Sequence, residues 1–105
     1  MFVSVTCDHC QHQMDSLISR IVEFKKIQIV IGVYQPMDEL KAFIEKYNLK
    51  EHKNIFVGRD HKFLMVPFFG IHNLPCMTLY NAKGELITKF EGTTPINKLL
   101  EKLKS

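Results

Sequence analysis

The apolar residues of the chain recur with two different spacings, which divide the sequence into predicted strands and helices. Residues 1–5 form an apolar run. From Cys10 onward the apolar positions instead follow the three- and four-residue spacing of a helix, at Met14, Leu17, Ile18, Ile21 and Val22. We therefore expect a short strand that ends near residue 5, followed by a helix over about residues 10–24 that packs its apolar stripe on a sheet.

The second apolar run, residues 27–33, is nearly continuous and rich in β-branched side chains. Such a run is typical of a strand that is buried on both faces, and we expect it to be the central strand of the sheet. Pro36 should then open a second helix, because proline is tolerated at the first helical position. The apolar positions of that helix have helical spacing and are Leu40, Phe43, Ile44 and Tyr47. Alternating strands and helices predict right-handed parallel crossovers.

The second half of the chain changes from this alternating order to a hairpin. Residues 54–58 predict a third strand, and residues 60–66 predict one or two helical turns that Pro67 interrupts. Residues 76–80 and 85–91 read as two strands, and their four-residue link makes them an antiparallel hairpin. A last helix follows, with Thr94 as its N-cap and Pro95 at its first position, and we expect it to close the second side of the sheet.

Composition limits the kinds of protein that fit this pattern. The 105 residues are 46% hydrophobic, which predicts one domain over residues 1–105 with a core of its own. The net charge of +3 is spread along the chain, so nucleic-acid binding is not indicated. The apolar run at the start is five residues long, too short for a signal-peptide core or a membrane span, so we expect a soluble chain. Three cysteines do not make a framework of structural disulfides.

Two of these cysteines lie at the junction of the first strand and the first helix, in the sequence Cys7-Asp8-His9-Cys10. The unpaired N–H groups and the dipole of a helix N-terminus favour negative charge, so thiolate is the favoured form of Cys7. In CxxC motifs of this kind the thiol pKa lies well below the ordinary value of about 8.5. His9 should stabilise the Cys7 thiolate, and Asp8 should oppose it. The motif therefore predicts a dithiol that opens and closes.

The order of the elements and these motifs together resemble the thioredoxin-like superfamily, in particular its TlpA/ResA-like, or redoxin, branch. Nearly the whole chain takes part. The resemblance rests on the first strand with its CxxC, the strand and helix units up to residue 57, the segment 68–75 that ends in Leu74-Pro75, and the hairpin with Gly92. It implies an α/β thioredoxin fold, with a central mixed β-sheet flanked by helices on both faces and an inserted βα unit.

The same resemblance implies an enzyme, a thiol-disulfide oxidoreductase that needs no cofactor and acts on protein thiols or disulfides together with a redox-partner protein. Cys7 would be the nucleophile and Cys10 the resolving cysteine. Asp8 and His9 would tune the acidity of the dithiol. In the family a cis-proline faces the dithiol, so that role falls to Pro75, with Leu74 before it as a substrate-contacting position.

The resemblance also implies an extracytoplasmic location, periplasmic or membrane-tethered, while a cytoplasmic location stays open. We also expect a monomer. TlpA-like domains carry extra strands ahead of the strand that begins here, usually after a signal sequence or lipid anchor, so it stays open whether Met1 is the native start. Two departures from the family stand out. Thr6 occupies the position before the first cysteine, and residues 2–5 offer no buried acid as proton acceptor for Cys10.

Other interpretations of the same residues stay open. Cys7, Cys10, His9 and His12 form a dense cluster that could hold zinc or copper, although structural zinc sites usually draw on two separated pairs of ligands. A non-catalytic thioredoxin-fold binding module is a third hypothesis. Cys76 is expected to be a small buried hydrophobic residue. We expect a core position for three aromatic residues and a surface position for three histidines: Phe63, Phe68 and Phe69, and His52, His61 and His72.

Overall fold

The computed structural model describes residues 1–104. Its helices are α1 (Asp8–Ser19), α2 (Met37–Lys46), α3 (Met65–Phe69) and α4 (Ile96–Lys104). Its strands are β1 (Ile29–Val33), β2 (Ile55–Arg59), β3 (Cys76–Tyr80) and β4 (Leu86–Glu91). The predicted starts of α2, β2, β3, β4 and α4 agree with these bounds to within one residue. The first helix is shorter than predicted, because α1 ends at Ser19 and residues 21–24 form a separate 3₁₀ turn.

The strands make a mixed sheet whose two halves are joined by the start of the chain. β1 pairs with β2 in parallel, and β3 pairs with β4 antiparallel. Phe2 lies between the two pairs and bridges Gly32 in parallel and Cys76 antiparallel. The Phe2 N–H donates to the Cys76 carbonyl at 2.8 Å, and the Val3 N–H donates to the Gly32 carbonyl at 3.0 Å. The segment around Phe2 is therefore the middle of the sheet.

The expectation that residues 27–33 form the central strand, buried on both faces, was wrong. β1 lies one position from the middle, and the side chain of Val30 is 58% exposed. Ile31 and Val33 are fully buried, because they point to the face that the long helices cover. The β-branched composition indicated a strand correctly but did not indicate how its second face is covered.

Three helices cover one face of the sheet. The first core cluster joins α1 and α2 to Val3 and β1, and the second joins α1 and α4 to β3. Successive strand residues point to opposite faces, so Met77 lies on the face opposite to Cys76 and Phe2. Because α4 packs on Met77 and Leu79, it lies beside α1. The prediction that the last helix closes the second side was therefore wrong.

The second face of the sheet is covered by α3 and the residues around it. Met65, Val66 and Phe69 pack against a small buried cluster of Phe2, Ile71 and Cys76. The predicted helical turn over residues 60–66 was misplaced, because the helix begins at Met65 and contains Pro67. Proline is tolerated here, since the N–H groups of a first helical turn have no partner within the helix. Helices thus lie on both faces, as predicted.

Side chains from outside α3 bind both of its ends. The Asp60 carboxylate accepts hydrogen bonds from the N–H groups of Leu64, at 2.9 Å, and Met65, at 2.7 Å. These bonds lower the pKa of Asp60. At the other end the Lys89 ammonium donates to the carbonyls of Phe69, at 3.3 Å, and Gly70, at 3.2 Å.

The aromatic residues near α3 are more exposed than predicted. Phe68 is 80% exposed and Phe63 is 46% exposed, so the core position expected for them was wrong. Phe69 is half-buried and meets the Phe68 ring edge to face at 4.8 Å. Phe63 packs instead on Tyr34, with ring centroids 5.1 Å apart. Of the three histidines expected at the surface, His61 and His72 are exposed and His52 is partly buried.

Candidate active site

The two cysteines of the CxxC motif lie at the start of α1 and differ in exposure. Cys7 directly precedes the helix with an extended backbone (φ −86°, ψ 123°), and its carbonyl accepts a hydrogen bond from the Gln11 N–H at 3.0 Å. Its side chain is partly exposed, whereas the Cys10 side chain is fully buried one turn further along. All three cysteines are free thiols. A reactant in solution can therefore reach Cys7 before Cys10.

Burial dominates the electrostatics of Cys10. Burial is the largest cause, the hydrogen bond from the Ser4 backbone opposes it, and the neighbouring Cys7 adds to it, so that together they raise the pKa of the Cys10 thiol to about 12. The Ser4 N–H donates to Cys10 Sγ at 3.5 Å. Cys10 is thus a thiol at neutral pH, close enough to Cys7 for the two groups to influence each other's ionisation.

Asp8 and His9 occupy the first turn of α1 and are exposed. Among residues 1–104 their side chains take part in none of the hydrogen bonds of the site. His12 is exposed one turn further along the same helix. Within the described part of the chain, no three His, Cys, Asp or Glu side chains are grouped so that they could hold a metal ion.

The Leu74-Pro75 segment reaches the same region from the other end of the chain. The peptide bond between these residues is cis, as the resemblance implied. Pro75 is fully buried, whereas Leu74 is half-buried and packs against the core cluster that Cys7 and Cys10 also contact. Leu74 therefore shares a core cluster with the dithiol. The next residue, Cys76, is buried, and burial raises the pKa of its thiol.

The loop before Pro75 is fixed by a residue that the sequence analysis did not single out. The Glu91 carboxylate at the end of β4 accepts hydrogen bonds from the N–H groups of His72 and Asn73, the latter at 3.1 Å. These bonds lower the pKa of Glu91. No local pattern in the sequence indicates this contact, because Glu91 lies 19 residues after His72 and 18 residues after Asn73.

Two further residues near Cys10 were missed. Ser4 and Gln35 are both more than nine-tenths buried, and the Gln35 amide donates from Nε2 to Ser4 Oγ at 2.7 Å. Ser4 Oγ also lies 3.2 Å from Thr6 Oγ1. Two features of the sequence could have indicated these residues. Ser4 is a polar residue within an apolar run, and Gln35 is an amide between a predicted buried strand and a predicted helix.

A mixed sheet with a CxxC motif at the start of the first helix and a cis-proline directly before the antiparallel hairpin defines the class: the chain has the thioredoxin fold. No family model and no curated protein sequence matches the chain. Solved structures do match it, at sequence identities that show the fold alone.

Three of these structures illustrate the likeness. StoA from Bacillus subtilis is 19% identical over 96% of this chain and 77% of its own, with a TM-score of 0.75. A secreted disulfide oxidoreductase from Mycobacterium tuberculosis, homologous to DsbE of E. coli, is 19% identical over 96% of this chain and 75% of its own, with a TM-score of 0.77. DsbF from M. tuberculosis, solved in mixed oxidised and reduced forms, is 15% identical over 98% of this chain and 75% of its own, with a TM-score of 0.81.

The predicted fold class is thereby confirmed, and the similar structures are of the kind that the resemblance to the TlpA/ResA-like branch indicated. The helices of the described residues are all too short or too polar to cross a membrane.

Proposed function

We propose that the protein is a thiol-disulfide oxidoreductase that exchanges disulfides with protein partners through Cys7 and Cys10. The observation that carries this proposal is the placement of a partly exposed thiol, Cys7, directly before a helix, with a second thiol, Cys10, fully buried in the first turn of that helix. That arrangement separates an attacking sulfur from a resolving one. The fold shared with disulfide oxidoreductases supports the same chemistry.

The exchange proceeds in two steps. The Cys7 thiolate attacks one sulfur of a partner disulfide, forms a mixed disulfide and expels the other partner sulfur as a thiolate. Cys10 then loses its proton to solvent and attacks Cys7 Sγ, which closes the Cys7–Cys10 disulfide and releases the second partner sulfur. Two electrons pass from the dithiol to the partner, and the reverse sequence oxidises a partner dithiol. Neither direction requires a cofactor.

Leu74 and Pro75 are proposed as the wall against which the partner lies. Leu74 packs on the core cluster that contains Cys10, and an extended partner segment could pair with its backbone as an added strand, which supplies affinity through main-chain groups. Asp8 and His9, exposed beside Cys7, would tune the thiolate with opposite charges. One of the similar proteins is described as secreted, and this supports an extracytoplasmic location for this chain. The single domain and the monomer are part of the same proposal.

Oxidation of the purified protein tests the proposal. Peptide mapping of the oxidised monomer should recover a Cys7–Cys10 disulfide, and brief alkylation of the reduced protein at neutral pH should label Cys7 first. The control is Cys10→Ser, which should stop at a mixed disulfide on Cys7 when it meets a peptide disulfide. A dominant disulfide to Cys76 in the monomer would contradict the proposed pair, and faster labelling of Cys10 would reverse the two roles.

A further inference from the structure

A pair of buried polar side chains lies in the apolar core next to the resolving cysteine. Ser4 is 5% exposed and Gln35 is 7% exposed, and the Gln35 amide donates to the Ser4 hydroxyl at 2.7 Å. Gln35 is itself fixed through its backbone, because Arg59 Nε donates to the Gln35 carbonyl at 2.9 Å. We call this Ser4–Gln35 contact the amide lock.

Packing alone does not explain the amide lock. Within residues 1–104, the Gln35 side-chain oxygen Oε1 is buried and has no hydrogen-bond partner. Leaving a buried acceptor unpaired is unfavourable, and an apolar side chain of the same length would avoid that cost. The position therefore retains an amide at the expense of stability, which indicates a role for its remaining hydrogen bond.

Ser4, which accepts the hydrogen bond of the amide lock, contacts both cysteines through its backbone. The Ser4 N–H donates to Cys10 Sγ at 3.5 Å, and the Ser4 carbonyl accepts a hydrogen bond from the Cys7 N–H at 3.3 Å. Ser4 also lies in the segment that runs from the middle of the sheet to α1. Fixing its side chain therefore fixes the backbone donor that faces the buried sulfur.

We propose that Gln35 is a positioning residue for the resolving step: through Ser4 it keeps a backbone N–H directed at Cys10 Sγ, where that N–H stabilises the thiolate that attacks Cys7. The proposal rests on the function proposed above and adds to it a means of activating Cys10 without a buried acid. A hydrogen bond to a charged sulfur is stronger than one to a neutral thiol, so this contact favours the reactive form.

Few other groups influence the ionisation of Cys10. Among the described residues, the titratable side chains that interact with it are Cys7, directly before α1, and Tyr47, which follows α2 and packs into the same cluster. Lys46 and Asp15 act on Tyr47. Neither Ser4 nor Gln35 carries a charge, so their effect on Cys10 comes through hydrogen bonding and should be separable from these charges.

The test uses the aromatic disulfide dithiobis(nitrobenzoate) at one equivalent, followed by stopped-flow absorbance. Cys7 thiolate attacks the reagent, becomes linked to one thionitrobenzoate and releases the other. Cys10 then gives its proton to solvent and attacks Cys7 Sγ, so the Cys7–Cys10 disulfide forms and the second thionitrobenzoate leaves. The second phase reports Cys10 alone, and its dependence on pH reports the acidity of that thiol.

Gln35→Met removes the amide while keeping the length of the side chain. It should leave the first phase unchanged, slow the second phase by about tenfold and move its pH profile by about one unit toward higher pH, since one pKa unit is a tenfold change. Ser4→Ala removes the other partner with little change in volume. It should have the same effect, and it keeps the test available if Gln35→Met does not fold.

Gln13→Met is the matched control. Gln13 is another buried amide, but its side chain bonds only to the backbone of Thr94. Its Nε2 donates to the Thr94 carbonyl at 3.1 Å, and its Oε1 accepts from the Thr94 N–H at 2.7 Å. This variant should lose stability without slowing the second phase.

An unchanged second phase in Gln35→Met and Ser4→Ala would overturn the positioning role, and so would equal slowing in Gln13→Met. A wild-type protein that releases one thionitrobenzoate and never closes the disulfide would overturn the proposed function itself.

Discussion

The buried thiol of Cys10 links the redox site to the stability of the fold. Because burial raises its pKa to about 12, the folded state holds the Cys10 proton more tightly than the unfolded chain does. The stabilisation that results is fully present below the unfolded-state pKa of about 8.5. It is lost as the pH rises from that value through the folded-state pKa.

Unfolding by urea under reducing conditions, at a series of pH values from about 7 to about 10.5, tests this linkage. The free energy of unfolding of the wild type should fall with rising pH more steeply than that of Cys10→Ala, which has no proton to lose at this position. Groups that do not interact with Cys10 titrate equally in both proteins, so the difference between the curves reports Cys10 together with its coupling to Cys7 and Tyr47. Parallel curves would show that the Cys10 proton does not contribute.

A second residue-scale test concerns Gly32, where α3 approaches the sheet closely. A Cβ atom added at Gly32 would lie 2.6 Å from the Met65 sulfur, whereas one added at its paired residue Gly58 would meet nothing within 4 Å. Gly32→Ala should therefore displace the flexible end of the Met65 side chain and leave the protein less stable than Gly58→Ala does. Gly58→Ala, the matched control, should be neutral or stabilise by up to about 1 kcal/mol. Thermal unfolding compares the melting temperatures of the two variants. Equal melting temperatures would contradict the close approach of Met65 to Gly32.

At the scale of elements, the contact between β4 and the loop before Pro75 has a functional consequence. Glu91→Ala removes the acceptor of the His72 and Asn73 N–H groups, so these amides should exchange with solvent faster. Because the loop carries the proposed partner-binding wall, disulfide exchange with a peptide should slow while the reaction of Cys7 with a small alkylating agent stays unchanged. Glu45→Ala, on the exposed face of α2, is a control of equal charge change.

The pH dependence of the Glu91 contact has the opposite sign to that of Cys10. The pKa of Glu91 is lowered by the two N–H groups, so its contribution is present above the unfolded-state value of about 4.3 and is lost as the pH falls through the lower folded-state value. Amide exchange of His72 that does not change between neutral and acid pH, after correction for intrinsic rates, would contradict this assignment.

Elements that depend on neighbouring residues could be predicted from sequence, and those that depend on distant ones could not. The hairpin of β3 and β4 and the placement of the CxxC motif at a helix start follow from spacing within a few residues. The side of the sheet on which α4 packs depends on how Met77 and Phe2 alternate across a pairing between opposite ends of the chain. Lys89 donates a hydrogen bond to the end of α3, and Gln35 donates one to Ser4, the residue whose N–H faces Cys10; both donors are remote in sequence from these partners.

At the scale of the whole molecule, α1 belongs to both large core clusters. Cys10 and Met14 lie in the cluster shared with α2, and Leu17 lies in the cluster shared with α4. The position of α1 therefore depends on both clusters, whereas Cys7 and Cys10 pack only in the cluster shared with α2.

Two core truncations should separate global stability from the chemistry of the dithiol. Met14→Ala and Leu99→Ala remove buried side chains from the first and second cluster respectively, and each should cost about 2–5 kcal/mol of unfolding free energy. Only Met14→Ala opens space in the cluster of Cys10, which should reduce the burial penalty, lower the pKa of that thiol and shift the pH profile of the resolving step to lower pH. Urea unfolding and stopped-flow oxidation measure the two effects, and identical profiles in both variants would contradict the separation.

The attachments of α3 make the cover of the second sheet face sensitive to ionic strength. A helix of five residues is far too short to persist in water by itself, so α3 depends on tertiary contacts. Asp60 and Lys89 place a negative charge at its N-terminus and a positive charge at its C-terminus, which is the polarity that a helix dipole favours. Dissolved salt screens exposed charges of both signs, with a Debye length of about 8 Å at physiological strength and about 3 Å at 1 M. Raising the salt concentration therefore weakens both attachments at once and loosens α3 from Phe2 and Cys76 beneath it, while the face that holds α1, α2 and α4 keeps its apolar contacts.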